Sequence, residues 1–323
     1  MDDKMIPIFI FSLPRAGSTL LQNILMSHPK IASTSEPWLL LPLVYSCKKE
    51  GELTEYSHST CTVAIEDFIE NLPNRDNDYY KSVREFAYKL YELQCKNKEK
   101  YFLDKTPRYY FIIPEIKKIF PDAKYIFLFR NIVQVYASIV STWGKGRLNK
   151  LFLNNIDLLK GPKLLSNGYE LLKYNAYALQ YENLVQNPQR CLTELCDYLD
   201  INYSKRLHTD FIKQNTKGRL GDQVGVEQYK EISDSTINKW TSFCNSMMKK
   251  KIIKRYVESL DDKTLQIQGY SKNSILKEIQ DIKVKYIGIL DYFDWLQSML
   301  IIRFNLNLFI SKKKSWAKNT YLD

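Results

Sequence analysis

Ile6-Pro-Ile-Phe-Ile-Phe-Ser-Leu-Pro-Arg-Ala-Gly-Ser-Thr-Leu-Leu-Gln-Asn-Ile-Leu-Met-Ser27 decides how this chain folds. An apolar run that reads as a buried strand passes through a short turn of small residues into an amphipathic helix. At the start of a helix the first backbone N–H groups have no intrahelical partner, and the helix dipole adds partial positive charge. Gly17 has no Cβ to keep an oxyanion away from the backbone, Ser18 and Thr19 add hydroxyl donors, and Arg15 adds a charged fork. The hexapeptide Pro14–Thr19 therefore reads as an anion cradle. It is not spelled as the nucleoside-triphosphate loop, because this turn lacks the Gly-Lys pair and its arginine precedes its glycine. An ordinary strand–turn–helix corner capped by Ser18 is the plain alternative.

Outward from this stretch, strand and helix patterns alternate. Lys30-Ile-Ala-Ser33 is a short candidate strand, with Glu36-Pro37-Trp38 at its carboxyl end, on the rim shared by parallel strands. Residues 39–100 read as helices joined by polar loops, the clearest over Tyr79–Lys96 with Val83, Phe86, Ala87, Leu90, Tyr91 and Leu93 on or near one face. Tyr101–Pro107 is a brief strand ending in polar residues, followed by a helix over Tyr110–Phe120. Lys124-Tyr-Ile-Phe-Leu-Phe-Arg130 is the strongest buried-strand signal, five apolar residues between two cations. Ala176–Tyr181 is another strand, and helical pattern resumes around Ile237–Leu260. Such alternation predicts parallel βαβ units with helices on both faces.

Composition narrows the partners without choosing one. The 323 residues are 45% hydrophobic and 26% charged, ordinary values for a globular chain able to bury a sizeable core. The 47 Lys and Arg exceed the 36 Asp and Glu, a formal charge of +11 that favours an anionic partner. The six cysteines include no C-x-x-C pair, which argues against metal and disulfide frameworks. The acidic start Met1-Asp-Asp-Lys4 is unlike a signal peptide, so the chain is expected to be cytoplasmic.

Three stretches taken together carry a family resemblance. Pro14-Arg-Ala-Gly-Ser-Thr19 after a strand, Arg130 with Ser138 eight residues on, and Lys217-Gly-Arg-Leu-Gly-Asp222 in a late loop resemble the signature elements of PAPS-dependent sulfotransferases. Asp104-Lys-Thr-Pro-Arg108, Phe120-Pro-Asp-Ala-Lys124, Tyr181-Glu-Asn-Leu-Val185 and the helix around Trp240 add to it, so that it spans roughly residues 6 to 245. The resemblance implies a P-loop-like three-layer α/β fold with a central, mostly parallel sheet flanked by helices. The sulfotransferase domain would run over 1–265, with 144–173 as an insertion able to form a lid, and a helical C-terminal extension over 266–323.

It also implies the site. Arg15, Ala16, Gly17, Ser18 and Thr19 would hold the 5′-phosphosulfate of PAPS (3′-phosphoadenosine 5′-phosphosulfate), and Arg130 and Ser138 its 3′-phosphate. Lys217, Gly218 and Arg219 would close on that phosphate, and Tyr181 would complete the donor site. Glu36 matches the glutamate base of the tyrosyl-protein and several carbohydrate sulfotransferases, which follows a His-Pro pair as it does here after His28-Pro29; Asp104 is next in line. Lys105 would be the cation at the leaving oxygen, and no metal is implied. The acceptor is a hydroxyl on a saccharide, tyrosine, lipid or small molecule.

Two rival functions remain. A nucleoside or nucleotide kinase shares the strand–loop–helix but needs a magnesium carboxylate, whereas Lys124–Phe129 ends in Arg130. A nucleic-acid-binding protein fits the charge and the 23 tyrosines, but no zinc-finger, RRM or helix-turn-helix signature supports it, so no nucleic-acid partner is expected. The C-terminal segment leaves two readings open. Trp295–Ile302 and Phe304–Ile310 are apolar but divided by Arg303 and shorter than the roughly 20 residues that span a bilayer. Followed by Lys312, Lys313, Lys314 and Lys318, they suit either peripheral contact with an anionic membrane or packing on the core. Oligomeric state has no signature in the sequence.

Overall fold

A computed structural model describes residues 5–49, 54, 56–213 and 231–306. The chain forms two compact units that interleave in sequence, Met1–Phe129 with Asn167–Asp234, and Arg130–Ser166 with Ser235–Asp323.

The first unit carries the sheet. Strand β1 is Ile6–Ser12, followed by α1 (Ser18–Met26), β2 (Ile31–Ser33), α2 (Leu40–Tyr45), α3 (His58–Glu70) and α4 (Asp76–Gln94). Then come β3 (Tyr101–Asp104), α5 (Ile113–Ile119) and β4 (Lys124–Phe129). The five strands lie in the order β2-β3-β1-β4-β5, β5 being Ala176–Gln180, and every pairing is parallel. From β1 the chain first builds β2 and β3 on one side and then β4 and β5 on the other. The carboxyl end of β1 therefore sits at the switch point, where open α/β sheets open a crevice for ligands. The register Ser12↔Leu128 sets the end of β1 beside the end of β4.

The apolar runs become strands because both faces of the sheet are covered. Ile8, Phe9, Ile10 and Phe11 of β1 and Ile126, Phe127 and Leu128 of β4 are all buried. Phe9 packs on Phe120 with ring centroids 5.3 Å apart, and Tyr91 of α4 stacks on Phe102 of β3 at 4.4 Å. Each such ring contributes about 1.5–3 kcal/mol by leaving water.

Two expectations need correction. On α4 the buried stripe is Val83, Ala87 and Tyr91, while Phe86, Leu90 and Leu93 are exposed. The stripe follows strict i, i+4 spacing and is narrower than the apolar pattern of the sequence. The helix expected over Tyr110–Phe120 is broken at Ile112 (φ −131°) into a short 3₁₀ turn, Tyr109–Phe111, and α5. Pro114 lies in the first turn of α5, where a missing N–H costs nothing.

The second unit contains α6 (Ile132–Trp143), a 3₁₀ stretch Leu148–Asn154 and α7 (Asn155–Leu159). Its later helices are Lys239–Phe243, Met247–Ser259, Asp262–Ile267, Lys272–Asp281 and Ile289–Arg303. Asn131 caps α6 by accepting from the Val133 N–H at 3.1 Å. Tyr136 packs on Tyr256 with centroids 5.0 Å apart. Helix α8 (Gly161–Leu172) passes from this unit into the first, where Tyr169 meets Phe127 and Phe129 edge-on. The first unit ends with α9 (Tyr181–Gln186), α10 (Pro188–Tyr198) and two short turns.

Gly168 of α8 lies against Ile113, and a Cβ there would overlap that side chain, coming within 3.2 Å of its Cβ. We expect Gly168→Val to destabilise the protein by about 1–3 kcal/mol through overpacking. The check is the urea midpoint at unchanged m-value; an unchanged midpoint would show that Ile113 yields freely.

Candidate active site

At the carboxyl end of β1 the chain turns sharply. Arg15 and Gly17 both adopt positive φ (+65° and +95°), and the Ala16 N–H bonds back to the Leu13 carbonyl at 3.2 Å. Gly17 stands at the N-cap of α1, where no side chain caps the helix and no acid occupies the first turn. Its conformation favours glycine, and so does its surroundings: a Cβ would come within 2.5 Å of Tyr181 Cε2. Tyr181, buried at the start of α9, thus lies with its ring directly against Gly17. The first-turn N–H groups of α1, with the Ser18 and Thr19 hydroxyls, form an opening suited to an anion.

Beside it the unit brings together the two residues read as base and cation. Lys105 follows the last residue of β3 and is only 2% exposed. Its Nζ donates to Glu36 Oε1 at 2.8 Å and to Thr19 Oγ1 at 3.4 Å. The Glu36 side chain is 11% exposed, and its Oε2 accepts from the Trp38 indole N–H at 3.2 Å. A buried ammonium requires such a partner, since removing one member of a buried pair strands the other.

Asp104 does not belong among the candidate bases. It is fully buried, and its carboxylate accepts from Thr106 Oγ1 (2.8 Å), Tyr91 Oη (2.6 Å) and Tyr109 Oη (3.0 Å). Burial pushes its carboxyl up to about 6, against the three hydroxyls and Lys105, which pull it down. The same groups reach the loop that bears Glu36. Thr106 Oγ1 accepts from the Trp38 N–H at 3.2 Å, and Tyr109 Oη from the Leu40 N–H at 3.3 Å. Trp38 is held at φ +55°, a conformation costly for a bulky residue and kept by these bonds. Asp104 thus orients the residues that hold the Glu36 loop, a positioning role that sequence reading missed. The signal available was the pair of tyrosines, Tyr91 and Tyr109, flanking an acid on a buried strand.

Arg130 and Ser138 lie in the second unit. Arg130 directly follows β4, and its Nε donates to Gln134 Oε1 at 3.0 Å. Ser138 lies on α6 and is half-buried. Lys217, Gly218 and Arg219 lie outside the described residues.

A parallel sheet with an uncapped helix N-terminus at its switch point defines a P-loop-like α/β protein. The Sulfotransferase family profile matches residues 7–205, more than half of the chain, and the protein belongs to that family. It is 33% identical over 141 residues to the nodulation protein NoeE of Sinorhizobium fredii (strain NBRC 101917 / NGR234), a match covering 42% of this chain. The match spans only 31% of that relative. A provisionally named protein-tyrosine sulfotransferase of Caenorhabditis briggsae is 22% identical over 207 residues, 62% of this chain and 67% of the relative. Among solved structures, the sulfotransferase domain from the Synechococcus PCC 7002 olefin synthase shares 25% identity at a TM-score of 0.50, covering 74% of this chain and 88% of that one.

The Asp104 environment gives a pH signature. Its carboxyl lies near 6 in the folded chain and near the ordinary 3.8 when unfolded, so between these values the native state holds the proton more tightly. Its contribution to stability is complete below the unfolded value and is lost as the pH rises through the folded one. We expect Asp104→Asn to lack this loss, so the variant gains stability relative to wild type as the pH rises from about 4 to about 7. Parallel pH profiles of the denaturant midpoint would refute the assignment.

Proposed function

We propose that this chain is a sulfotransferase that moves a sulfuryl group from PAPS to a hydroxyl of an acceptor. The observation that carries the reading is the Lys105–Glu36 pair, 2.8 Å apart beside the uncapped start of α1. The donor supplies an activated sulfuryl group and a phosphate leaving group. Arg15, Ala16, Gly17, Ser18 and Thr19 hold its 5′ end. Arg130 and Ser138 hold its 3′-phosphate, Lys217, Gly218 and Arg219 close over it, and Tyr181 keeps the cradle open.

Glu36 takes the proton of the acceptor hydroxyl as its oxygen bonds to sulfur, and the bond from sulfur to the phosphate oxygen breaks. Lys105 donates to the phosphate oxygen that gains charge. Sulfuryl transfer resembles phosphoryl transfer in spreading charge, so positioning and fixed cations do most of the work. Lysine and arginine supply the positive charge in this scheme, which requires no metal.

The acceptor class is a hydroxyl of a saccharide, tyrosine, lipid or small molecule. The domain for this chemistry is 1–265, with 144–173 near the acceptor and 266–323 as the helical extension. The reading keeps the protein in the cytoplasm, with peripheral membrane contact through the C-terminal segment. A kinase reading gains no support: the turn before α1 carries no lysine, and the segment after β4 begins with a cation.

Arg130→Ala should weaken adenosine 3′,5′-bisphosphate by about 2–3 kcal/mol in calorimetry, the value of a lost charge-assisted contact. Unchanged affinity would remove Arg130 from the donor site, and a rise in melting temperature with ATP and magnesium alone would favour a kinase.

Glu36→Gln keeps size and polarity but cannot accept the proton. With labelled PAPS and an acceptor found by screening, it should bind donor normally and lower turnover by about 10²–10⁴-fold. Near-normal turnover would exclude Glu36 as the base.

A further inference from the structure

The helix Ile289–Arg303 of the second unit turns Trp295, Met299 and Ile302 toward a pocket shared with Tyr136, Leu151 and Ile252, yet leaves a second apolar face outward. Bonded polar groups on the inward side fix its rotation: Asp294 takes a two-pronged contact from Arg147 (Nη2 to Oδ1 2.7 Å, Nε to Oδ2 3.0 Å). Ser298 donates to the Leu148 carbonyl at 2.7 Å, and Asp291 accepts from Ser246 Oγ at 2.6 Å, with Lys249 Nζ at 3.5 Å. Its outward groups are mostly apolar, with Gln297 among them: Leu290 is 80% exposed, Phe293 59% and Phe304, just past the end, 64%, with Ile289 and Leu300 also in water. Residues 289, 293, 300 and 304 recur at helical spacing, so they form one continuous face. Val284, Tyr286 and Ile287, exposed just before the helix, extend it.

This orientation is fixed. The Met247 and Met248 N–H groups bond to the Tyr286 and Ile287 carbonyls at 2.9 and 3.1 Å. Gly288 turns the chain at φ +79°, where a Cβ would come within 2.5 Å of Asp291 Oδ2 and 2.6 Å of Ser246 Oγ. Turning the apolar face inward would strip Asp291, Asp294 and Ser298 of every partner just named.

The occupant of the face follows from charge. Over 283–306 the only acids, Asp291 and Asp294, are the two turned inward, whereas Lys283, Lys285 and Arg303 are all exposed. A second copy would bring the same cations to the interface with no acid of this segment to meet them. No helix among the described residues is long and apolar enough to cross a membrane. An apolar strip flanked by cations alone, on a helix of 15 residues, suits the plane of an anionic bilayer.

We infer that the outward face of Ile289–Arg303, with Val284, Tyr286, Ile287 and Phe304, docks this protein on anionic lipid. The apolar side chains enter the acyl boundary while Lys283, Lys285 and Arg303 meet the headgroups. The inference is independent of the donor and of the acceptor.

The experiment is co-sedimentation of the full-length chain with vesicles of phosphatidylserine and phosphatidylcholine, and with phosphatidylcholine alone. The protein should sediment with the first, less at high salt, and little with the second. Phe293→Glu with Leu300→Glu should lower partitioning by at least about tenfold, since two apolar side chains that would leave water are replaced by anions repelled by the headgroups. Its melting temperature should stay unchanged. If the double variant melts early, Leu290→Glu, at a position 80% exposed, reports the same loss without disturbing packing. The proposal is overturned if the wild type stays in the supernatant at low salt, or if the variants sediment as well as wild type. It is also overturned if the wild type is a dimer that the variants split and that ignores vesicles.

Discussion

A lysine ammonium that is 2% exposed has to find its counter-charge inside the protein, and this constraint ties together the catalytic end of the sheet. Lys105 comes from the end of β3, Glu36 from the loop after β2 and Thr19 from the first turn of α1. Three segments far apart in sequence therefore converge on one nitrogen. Asp104, one residue earlier at the end of β3, has a different set of partners, the hydroxyls of Tyr91, Thr106 and Tyr109. Of these, Thr106 and Tyr109 in turn hold the Glu36 loop. Adjacent residues of opposite charge thus have different neighbours, Lys105 meeting Glu36 itself and Asp104 the hydroxyls that hold the Glu36 loop.

Much of the fold was legible because it is written locally. The five apolar residues of β4, and the strand, turn and helix of Ile6–Ser27, report burial on both faces without knowledge of any partner. Glu36 and Lys105 were legible as residues through resemblance, but their contact was not, because 69 positions separate them and no local pattern encodes the pairing. Asp104 was read only as next in line after Glu36. What reverses that reading is Tyr91, brought by α4, and Tyr109, brought by the turn before α5. On α4 itself the apolar pattern overstated the buried face, since Phe86, Leu90 and Leu93 stay in water.

Gly17 shows how one position serves two needs. Its positive φ lets the chain leave β1 and enter α1 within five residues, and its missing Cβ leaves room for the Tyr181 ring. Alanine there would be strained in backbone and side chain together, which distinguishes this glycine from Gly146, also at positive φ but facing open space. The contact also explains why Tyr181, buried and far along the chain, belongs with the turn: its ring supports the backbone whose N–H groups an anion would meet.

The helix Ile289–Arg303 is apolar on more than the one side it buries. Helical spacing separates its residues into two faces correctly, but the choice of which face turns inward is normally made by hydrophobicity. Here apolar residues occupy both faces, and three bonded polar side chains beside Trp295, Met299 and Ile302 fix which one turns inward. The balance is understandable in energetic terms. Arg147 is largely exposed, so its pairing with Asp294 avoids the full desolvation cost of a buried ion pair while still fixing direction. The apolar face left in water is the larger cost, because water opposes each exposed Leu and Phe by an amount similar to what its burial would yield. The outward apolar face, with acids withdrawn and cations at its margins, is the feature from which docking on anionic lipid is inferred.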